Sequence, residues 1–175
     1  MARDIEDLHA QDSGAFEKWR RTERRIAADP GLPALGDIYA FPVTAEQGIE
    51  WGVVKQHSSG DPLWYIVPFD QNPLVGTWDV PVSEFSEAGP GALRCGRGIW
   101  AHADDMRIGE KSGFLEPHDV RGARLRLWVM VGGDESLIPI CSDVDDDPDY
   151  EELMMELARA ACRLETALRE AAPTT

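Results

Sequence analysis

The chain has 175 residues, of which 43% are hydrophobic and 28% charged, and its formal net charge is −15. This composition is typical of a folded domain and excludes an intrinsically disordered chain. The negative charge argues against a simple nucleic-acid binder, whose affinity comes largely from neutralising phosphates, and favours a protein partner with a basic surface.

The cysteines and the hydropathy pattern indicate a cellular compartment. Cys95, Cys141 and Cys162 are odd in number and lack C-x-x-C spacing, so we expect reduced thiols rather than a disulfide framework or a zinc ribbon. The N-terminus is charged where a signal peptide needs an apolar core. No apolar run approaches the roughly 18 residues of a membrane span. We therefore expect a cytoplasmic protein without a membrane segment.

The first predicted element is a helix over residues 1–29. Phe16, Trp19 and Ile26 recur at helical spacing, and the stretch "DPGLPALG" then ends the helix. Four arginines lie on the same segment, namely Arg20, Arg21, Arg24 and Arg25. A solvated face paired with neighbouring glutamates is preferred for them over a phosphate-binding site.

Residues 36–133 predict a mainly β region. Short apolar runs bounded by Gly, Pro, Asn or Asp follow each other closely, namely "GDIYAFPV", "IEWGVVKQH", "LWYIVPF", "TWDVPV", "ALRCGRGIWAHA" and "ARLRLWVMV". In the last run Leu125, Leu127 and Val129 alternate with polar residues, and "LEPHDVRG" before it is interpreted as a short turn. About six short strands at this spacing predict a small barrel or sandwich.

The third part of the chain is an acidic connector, residues 134–147, followed by a helix over residues 148–171. Asp147 is a good N-cap and Pro148 suits the first helical turn. An apolar stripe runs along the helix and comprises Leu153, Leu157, Ala160, Leu164 and Leu168. This amphipathic stripe must be buried on the barrel, on the first helix or on another chain.

No motif for a metal or a cofactor is found. The acidic run "DVDDDPDYEE" fails the EF-hand pattern, because Pro148 stands where the loop glycine is needed and Met154 where the bidentate glutamate is needed. The four histidines lack the spacing of paired metal ligands. No glycine-rich phosphate loop is present. We expect no metal and no cofactor.

Polar and aromatic side chains at the ends of the first strands are the candidate site. Such loops often carry the functional residues of small β proteins. The candidates for binding a partner are Glu46, Gln47, Trp51, Asp70, Gln71 and Trp78. Gathered on one rim they would form a small polar pocket walled by indole rings, although separate loop positions are the simpler interpretation of the sequence.

Taken in order, residues 36 to about 131 resemble the MazF/PemK-like family of toxin endoribonucleases. "GDIYAF" resembles the opening strand of that family, and "AEQGIEWGVV" its Ser-Glu-Gln loop followed by Arg-Pro. "YIVPFDQN" resembles the strand that ends in Pro-x-Thr-Ser-Asn, and "GIWAHADDMRI" a later strand that ends in Gln-x-Arg. The resemblance implies a small SH3-like barrel that is able to form a homodimer. The predicted helices at both ends are additions to the family pattern.

The resemblance also implies a catalytic arginine and a threonine or serine, and both are replaced here. The Arg-Pro pair falls on Trp51 and Gly52, and the Thr-Ser pair on Asp70 and Gln71. A carboxylate without a neighbouring cation would repel phosphate. A ribonuclease would therefore need Asp70 and Gln71 together with Arg94 or Arg97.

Two functions are consistent with these residues. The first is a non-catalytic protein-binding regulator that inhibits a basic transcription factor, of sigma type or otherwise DNA-binding, in the manner of an anti-sigma factor or an antitoxin. The alternative is a divergent metal-independent endoribonuclease toxin. The lost catalytic pair and the acidic composition favour the first.

Overall fold

The computed structural model describes residues 32–171, so the helix predicted over residues 1–29 lies outside the described part. The strands are β1 Asp37–Ala40, β2 Glu50–Gln56, β3 Leu63–Asp70, β4 Asp79–Val82, β5 Gly91–Arg94, β6 Ile99–His102 and β7 Glu110–Phe114. The α-helices are α1 Pro42–Ala45, α2 Pro117–Met130, α3 Ser142–Asp145 and α4 Pro148–Ala171. Short 3₁₀ turns cover Cys95–Arg97, Asp105–Ile108 and Glu135–Leu137.

The seven strands form one antiparallel sheet in the order β4-β5-β3-β2-β1-β7, with β6 also paired to β3. The mainly β class is thus confirmed. Within the described residues the two outer strands, β4 and β7, do not pair with each other, so the sheet is not closed into a continuous barrel.

Strand β3 is the centre of the sheet and continues through Pro68 rather than ending there. Its first half pairs with β6 up to Ile66, and its end pairs with β5 from Phe69 onward. Pro68 therefore lies where the partner on that edge changes, and the missing N–H of a proline is tolerated at such a position.

Both faces of the sheet are covered by helices. Trp51, Val53 and Ile66 face a cluster that also contains Leu157 and Leu164 of α4. The neighbouring strand residues point to the other side, into a cluster shared with α2 that comprises Ile38, Val54, Val67, Phe69, Leu93, Leu115, Val120 and Ala123. Because side chains alternate along a strand, β2 and β3 supply both cores at once.

Helix α4 starts where the capping residues predict and packs on the sheet of its own chain. The Asp147 carboxylate accepts a hydrogen bond of 2.8 Å from the backbone N–H of Asp149, which satisfies a donor in the first turn. Leu157 and Leu164 are completely buried. The amphipathic stripe is therefore buried by the sheet, one of the three possibilities left open by the sequence.

The strand predicted for "ARLRLWVMV" is wrong, because these residues belong to α2. Pro117 occupies the first turn, and Glu116 and Asp119 form a reciprocal capping box. The buried positions Val120, Ala123 and Val129 lie on one helical face. The alternation of leucines and arginines masked this helical period. The predicted β region 36–133 consequently ends in a helix, and its last strand stops at Phe114.

Three shorter segments also differ from the prediction. Strand β1 ends at Ala40 and the following residues form α1. The stretch "ALRCGRGIWAHA" is two strands separated by a 3₁₀ turn. The acidic connector carries the short helix α3. None of the helices in residues 32–171 combines the length and apolarity needed to cross a membrane.

Candidate functional site

Asp70 ends strand β3 and forms a two-pronged ion pair with Arg94 of β5. The Arg94 Nε donates to Asp70 Oδ2 at 2.8 Å, and Nη2 donates to Oδ1 at 2.7 Å. The register explains this placement, because Asp70 pairs with Ala92 and Arg94 follows on the same strand. Asp70 Oδ1 also accepts the N–H of Asn72 at 2.8 Å, which fixes the turn after β3.

The Arg94 side chain is completely buried, with 0% exposure. Its Nη1 donates to Asp79 Oδ2 at 2.8 Å and to the carbonyl oxygen of Leu74, and Nη2 donates to the carbonyl oxygen of Asn72 at 3.0 Å. With the two bonds to Asp70, all five N–H groups of the guanidinium have an acceptor in the protein. Arg94 thus connects the ends of β3, β4 and β5.

The electrostatics of this cluster follow from its burial. Burial by itself lowers the pKa of Arg94, but the hydrogen bonds and charge of Asp70 outweigh this effect and raise that pKa. Burial raises the pKa of Asp79, against the lowering effect of the adjacent Arg94. We take the guanidinium as charged, because both neighbouring carboxyls favour that form. Asp79 Oδ1 has no hydrogen-bond partner within the described residues.

The same cluster holds the start of α4. The Tyr150 hydroxyl donates to Asp79 Oδ2 at 2.9 Å, and burial raises the pKa of Tyr150 above its usual value. Thr77 donates from its backbone N–H and its hydroxyl to the carboxylate of Asp145. Gly76 lies so close to Tyr150 and Asp145 that a Cβ at this position has no room. The ion-pair cluster and the helix therefore support each other.

Trp51 and Gly52, the positions that the resemblance places opposite the family's Arg-Pro pair, lie in the core. Trp51 is completely buried, and its Nε1 donates to Thr44 Oγ1 at 3.0 Å. A Cβ built on Gly52 would lie 2.8 Å from Leu115 and 3.1 Å from Leu93. Trp51 therefore contributes to the packing between the sheet and α4 and not to the surface.

A cavity of about 740 Å³ opens between the ends of β2 and β3 and the side of α4. The wall formed by the strand ends and their loops is lined by Gln47, Glu50, Asp70, Gln71 and Asn72 among others. The helix side contributes Leu153, Glu156, Leu157, Arg159 and Arg163. Arg163 Nη2 donates to Gln47 Oε1 at 2.6 Å, which joins the two walls.

The structure brings together only part of the predicted rim. Gln47, Asp70 and Gln71 line the cavity, as the rim hypothesis requires. Glu46 is exposed but does not line it, and Trp78 is half-buried in the turn before β4. Trp51 is buried as described. Three of the six predicted residues therefore share one cavity, whose second wall is a helix and not a set of indole rings. That these residues bind a partner stays a prediction.

Of the two candidate arginines, Arg94 meets Asp70 and Arg97 does not. Arg97 is half-buried in the 3₁₀ turn after β5, and its Nε donates to the carbonyl oxygen of Met154 at 3.1 Å. It therefore contacts α4 instead of the Asp70 corner. Among the described residues, no three His, Cys, Asp or Glu side chains lie together as metal ligands would.

Sequence reasoning missed the participation of Asp79, Tyr150, Arg159 and Arg163. Asp79 sits in the run "TWDVPV", and a charged residue at an inward position of a buried strand was the available signal. The α4 residues carried no sequence signal of this kind, because the periodicity of a helix does not determine the angle at which it packs on a sheet.

Comparisons with known proteins found relatives only among solved structures. No family model and no curated protein matches the sequence. The structure is similar to crystal structures of MazE-MazF from Deinococcus radiodurans. For form II the TM-score is 0.47 at 11% identity, over 59% of this chain and 98% of the other. For form I the values are 0.48 and 12%, over 58% and 98%. At this identity the likeness concerns the fold alone.

Proposed function

We propose that this chain is a non-catalytic MazF-like regulator that binds another protein in the cytoplasm. One observation carries the proposal. Arg94, the arginine that a ribonuclease would need beside Asp70, is 0% exposed and has an acceptor for each of its N–H groups. A cation in this state is not available to stabilise the charge of a phosphate in the transition state.

The other elements of ribonuclease chemistry are also occupied by structural roles. The Asp70 side chain is 9% exposed and both of its oxygens accept hydrogen bonds from Arg94. Both carboxylate oxygens are thus engaged by a buried guanidinium, and a base for a ribose hydroxyl would have to leave this ion pair. Trp51 and Gly52 fill the core. These placements support loss of catalysis rather than relocation of it.

The charge of the chain supports a partner with a basic surface. The chain contains thirty-two acidic residues but only seventeen lysines and arginines. Aspartates cluster where the acidic connector ends and α4 begins, namely at Asp143, Asp145, Asp146, Asp147 and Asp149. Complementary charge accelerates association and selects partners. A sigma-type factor or another DNA-binding regulator has the required basic surface, and inhibition of such a factor is the function we assign. The three cysteines are free thiols, which agrees with a cytoplasmic location.

The ribonuclease alternative has one observation in its favour. Asp70 and Gln71 line a cavity that also contains the arginines Arg159 and Arg163 of α4. These two side chains bring positive charge to the corner where the family places its catalytic residues. The alternative enzyme would use Asp70 and Gln71 with a cation from the helix instead of Arg94 or Arg97.

An RNA cleavage assay without metal separates the two functions. The full chain is mixed with a long unstructured RNA in the presence of a chelator, beside the Asp70→Asn variant, which keeps the shape of the carboxyl group. We expect intact RNA with both proteins. Cleavage by the wild type that is lost in a folded Asp70→Asn variant would contradict the proposal and establish the alternative.

A second measurement tests the partner. The protein is used as bait in native extract at physiological salt, and each captured protein is then purified and mixed with it in a sizing column with light scattering. We expect a complex with a basic protein whose affinity falls as salt increases. Elution of a homodimer alone, with no reconstituted complex, would argue against a regulator and for a self-associating module.

A further inference from the structure

The cavity at the ends of β2 and β3 contains charges of both signs without ion-pair partners. Glu50 contributes from the start of β2, and Glu156, Arg159 and Arg163 contribute from α4. Among the described residues, none of the four forms an ion pair, and the hydrogen bond from Arg163 goes to the uncharged amide of Gln47. Four unpaired charges that face one space are available to a ligand.

The base of the cavity does not add a fifth free charge. Asp70 lines it, but its carboxylate is compensated by the buried guanidinium of Arg94 at 2.7 Å. The remaining charges are two negative and two positive. A polyanion such as a nucleic-acid backbone is attracted by the arginines but repelled by Glu50 and Glu156. The lining is therefore complementary to a ligand of mixed charge.

Along the helix wall, the sign of the side-chain charge changes from negative to positive. Glu156 precedes Arg163 by seven residues, which corresponds to about 10 Å along a helix. The wall therefore passes from negative to positive charge over about that distance, with Arg159 in between. The volume of about 740 Å³ is within the usual range for ligand sites, roughly 300–1,000 Å³. The midpoint between Arg159 and Arg163 lies about five residues along the helix from Glu156, so such a ligand must carry a cation and an anion about 7 Å apart.

The uncharged part of the lining favours a peptide. Gln47, Gln71 and Asn72 place side-chain amides around the opening, and amides can both donate to and accept from a peptide backbone. In an extended peptide, residues two apart are separated by about 7 Å, at about 3.3 Å per residue, and their side chains point to the same side. A basic residue and an acidic residue with this spacing match the helix wall.

We infer that this cavity is the docking site for a peptide segment that carries a basic side chain and, two residues away on the same side of the peptide, a carboxylate. The carboxylate binds between Arg159 and Arg163, and the basic side chain faces Glu156 and Glu50. The inference rests on the proposed protein-binding function. It adds that a partner selected by its basic surface enters this site with an acidic residue.

The test uses a dye-labelled, capped tripeptide, Lys-Gly-Glu, titrated with the full chain in a fluorescence anisotropy assay. We expect saturable binding that the double variant Arg159→Gln, Arg163→Gln weakens about tenfold or more, because charge-assisted hydrogen bonds are lost. The matched control is Arg124→Gln, Arg169→Gln. It has the same net charge, and both its arginines are exposed and lie outside the cavity, so we expect unchanged binding.

The basic end of the peptide is tested with a second pair of variants. Glu156→Gln is expected to weaken binding several-fold, whereas Glu152→Gln, on the same helix but outside the cavity, leaves it unchanged. Equal binding to the Arg159, Arg163 double variant and to its control would overturn the inference. So would the absence of saturable binding.

A third comparison distinguishes this inference from failure of the proposed function. Inorganic phosphate and a short oligouridylate are titrated in competition with the peptide, and we expect neither to displace it. Displacement by the RNA at lower concentration than by unlabelled peptide would overturn the mixed-charge site. If a reconstituted protein complex retains its affinity with the Arg159, Arg163 double variant, the regulatory function stands and the docking site lies elsewhere.

Discussion

At the residue scale, Arg94 holds the end of β3 in place through its buried ion pairs. The side chain is buried, and two carboxylates and two backbone carbonyls surround it. A buried cation is tolerated only where such partners compensate for its lost hydration. Because Asp70 and Asp79 come from different strands, the guanidinium fixes the ends of β3 and β4 relative to β5. The position that the family resemblance would make catalytic thus has a structural role.

The first prediction concerns Arg94→Met. This substitution leaves Asp70 and Asp79 buried without a cation, so we expect a loss of about 3–5 kcal/mol in the free energy of unfolding, measured by urea denaturation. Arg107→Met is the control, because Arg107 is 67% exposed in its pair with Asp104 and exposed pairs contribute about 1 kcal/mol or less. Equal effects of the two substitutions would show that the cluster is not needed for stability.

The second prediction concerns alkaline pH. Burial raises the pKa of Cys95 from 9.0 to about 12. In the unfolded chain this thiol ionises first, so its contribution to stability is complete below pH 9 and is lost as the pH rises toward 12. We expect Cys95→Ala to reduce the fall of the unfolding free energy over this range, by up to about 1.4 kcal/mol per pH unit.

Two features of the chain define the control for that measurement. Cys162 is exposed, and Cys162→Ala is the matched variant that removes one thiol outside the core. Tyr39, whose pKa burial raises to about 12, keeps its own contribution in every variant, and a residual slope is therefore expected. Identical slopes for Cys95→Ala and the wild type would show that the thiol is not protected by folding.

At the scale of elements, the two long helices differ in how clearly the sequence predicts them. Helix α4 carries a cap at Asp147, a proline at its first position and leucines at regular helical spacing. Helix α2 carries an equally good capping box at Glu116 and Asp119, but its leucines alternate with arginines. Helix α4 buries leucines against the sheet, whereas α2 buries smaller residues such as Ala123.

The third prediction concerns Leu157→Asp in α4. Leu157 is completely buried between the helix and the sheet, so an unpaired carboxylate at this position should cost about 3 kcal/mol or more in unfolding free energy. Met155→Asp is the matched control, because Met155 is 47% exposed on the same helix. A melting temperature that is unchanged by Leu157→Asp would show that α4 is not docked on the sheet.

At the scale of the whole molecule, the net charge of −15 opposes compactness. Like charges on one surface repel each other, and this repulsion lowers the stability of the folded state at low ionic strength. Few ion pairs offset it in the described residues, and several of them involve the buried Arg94 or histidines.

The fourth prediction follows from this repulsion. Raising the ionic strength from about 0.01 M to about 0.15 M shortens the Debye length from about 30 Å to about 8 Å, so we expect the melting temperature at neutral pH to rise. The same change near pH 4.5, where the net charge is close to zero, should have little effect. A lower melting temperature in salt at neutral pH would indicate that attractive ion pairs dominate the surface.

The sequence by itself determined the elements whose signals are local. The strand periodicity of β2 and β3, the cap at Asp147 and the apolar stripe of α4 depend on neighbouring residues, and the order of motifs was enough to indicate the family resemblance. The mainly β class with a C-terminal helix followed from these signals.

Only the tertiary structure decided what those elements place together. Residues far apart in the chain meet at the Asp70 corner, where Arg94 lies 24 positions from Asp70, and Tyr150 lies 71 from Asp79. In the folded chain the candidate catalytic pair Asp70 and Arg94 is a buried ion pair, and Trp51 lies in the core. Arg159 and Arg163 line the cavity. The physical reason is that exposure and pairing of charges depend on which elements pack against each other, and a local pattern does not contain that information.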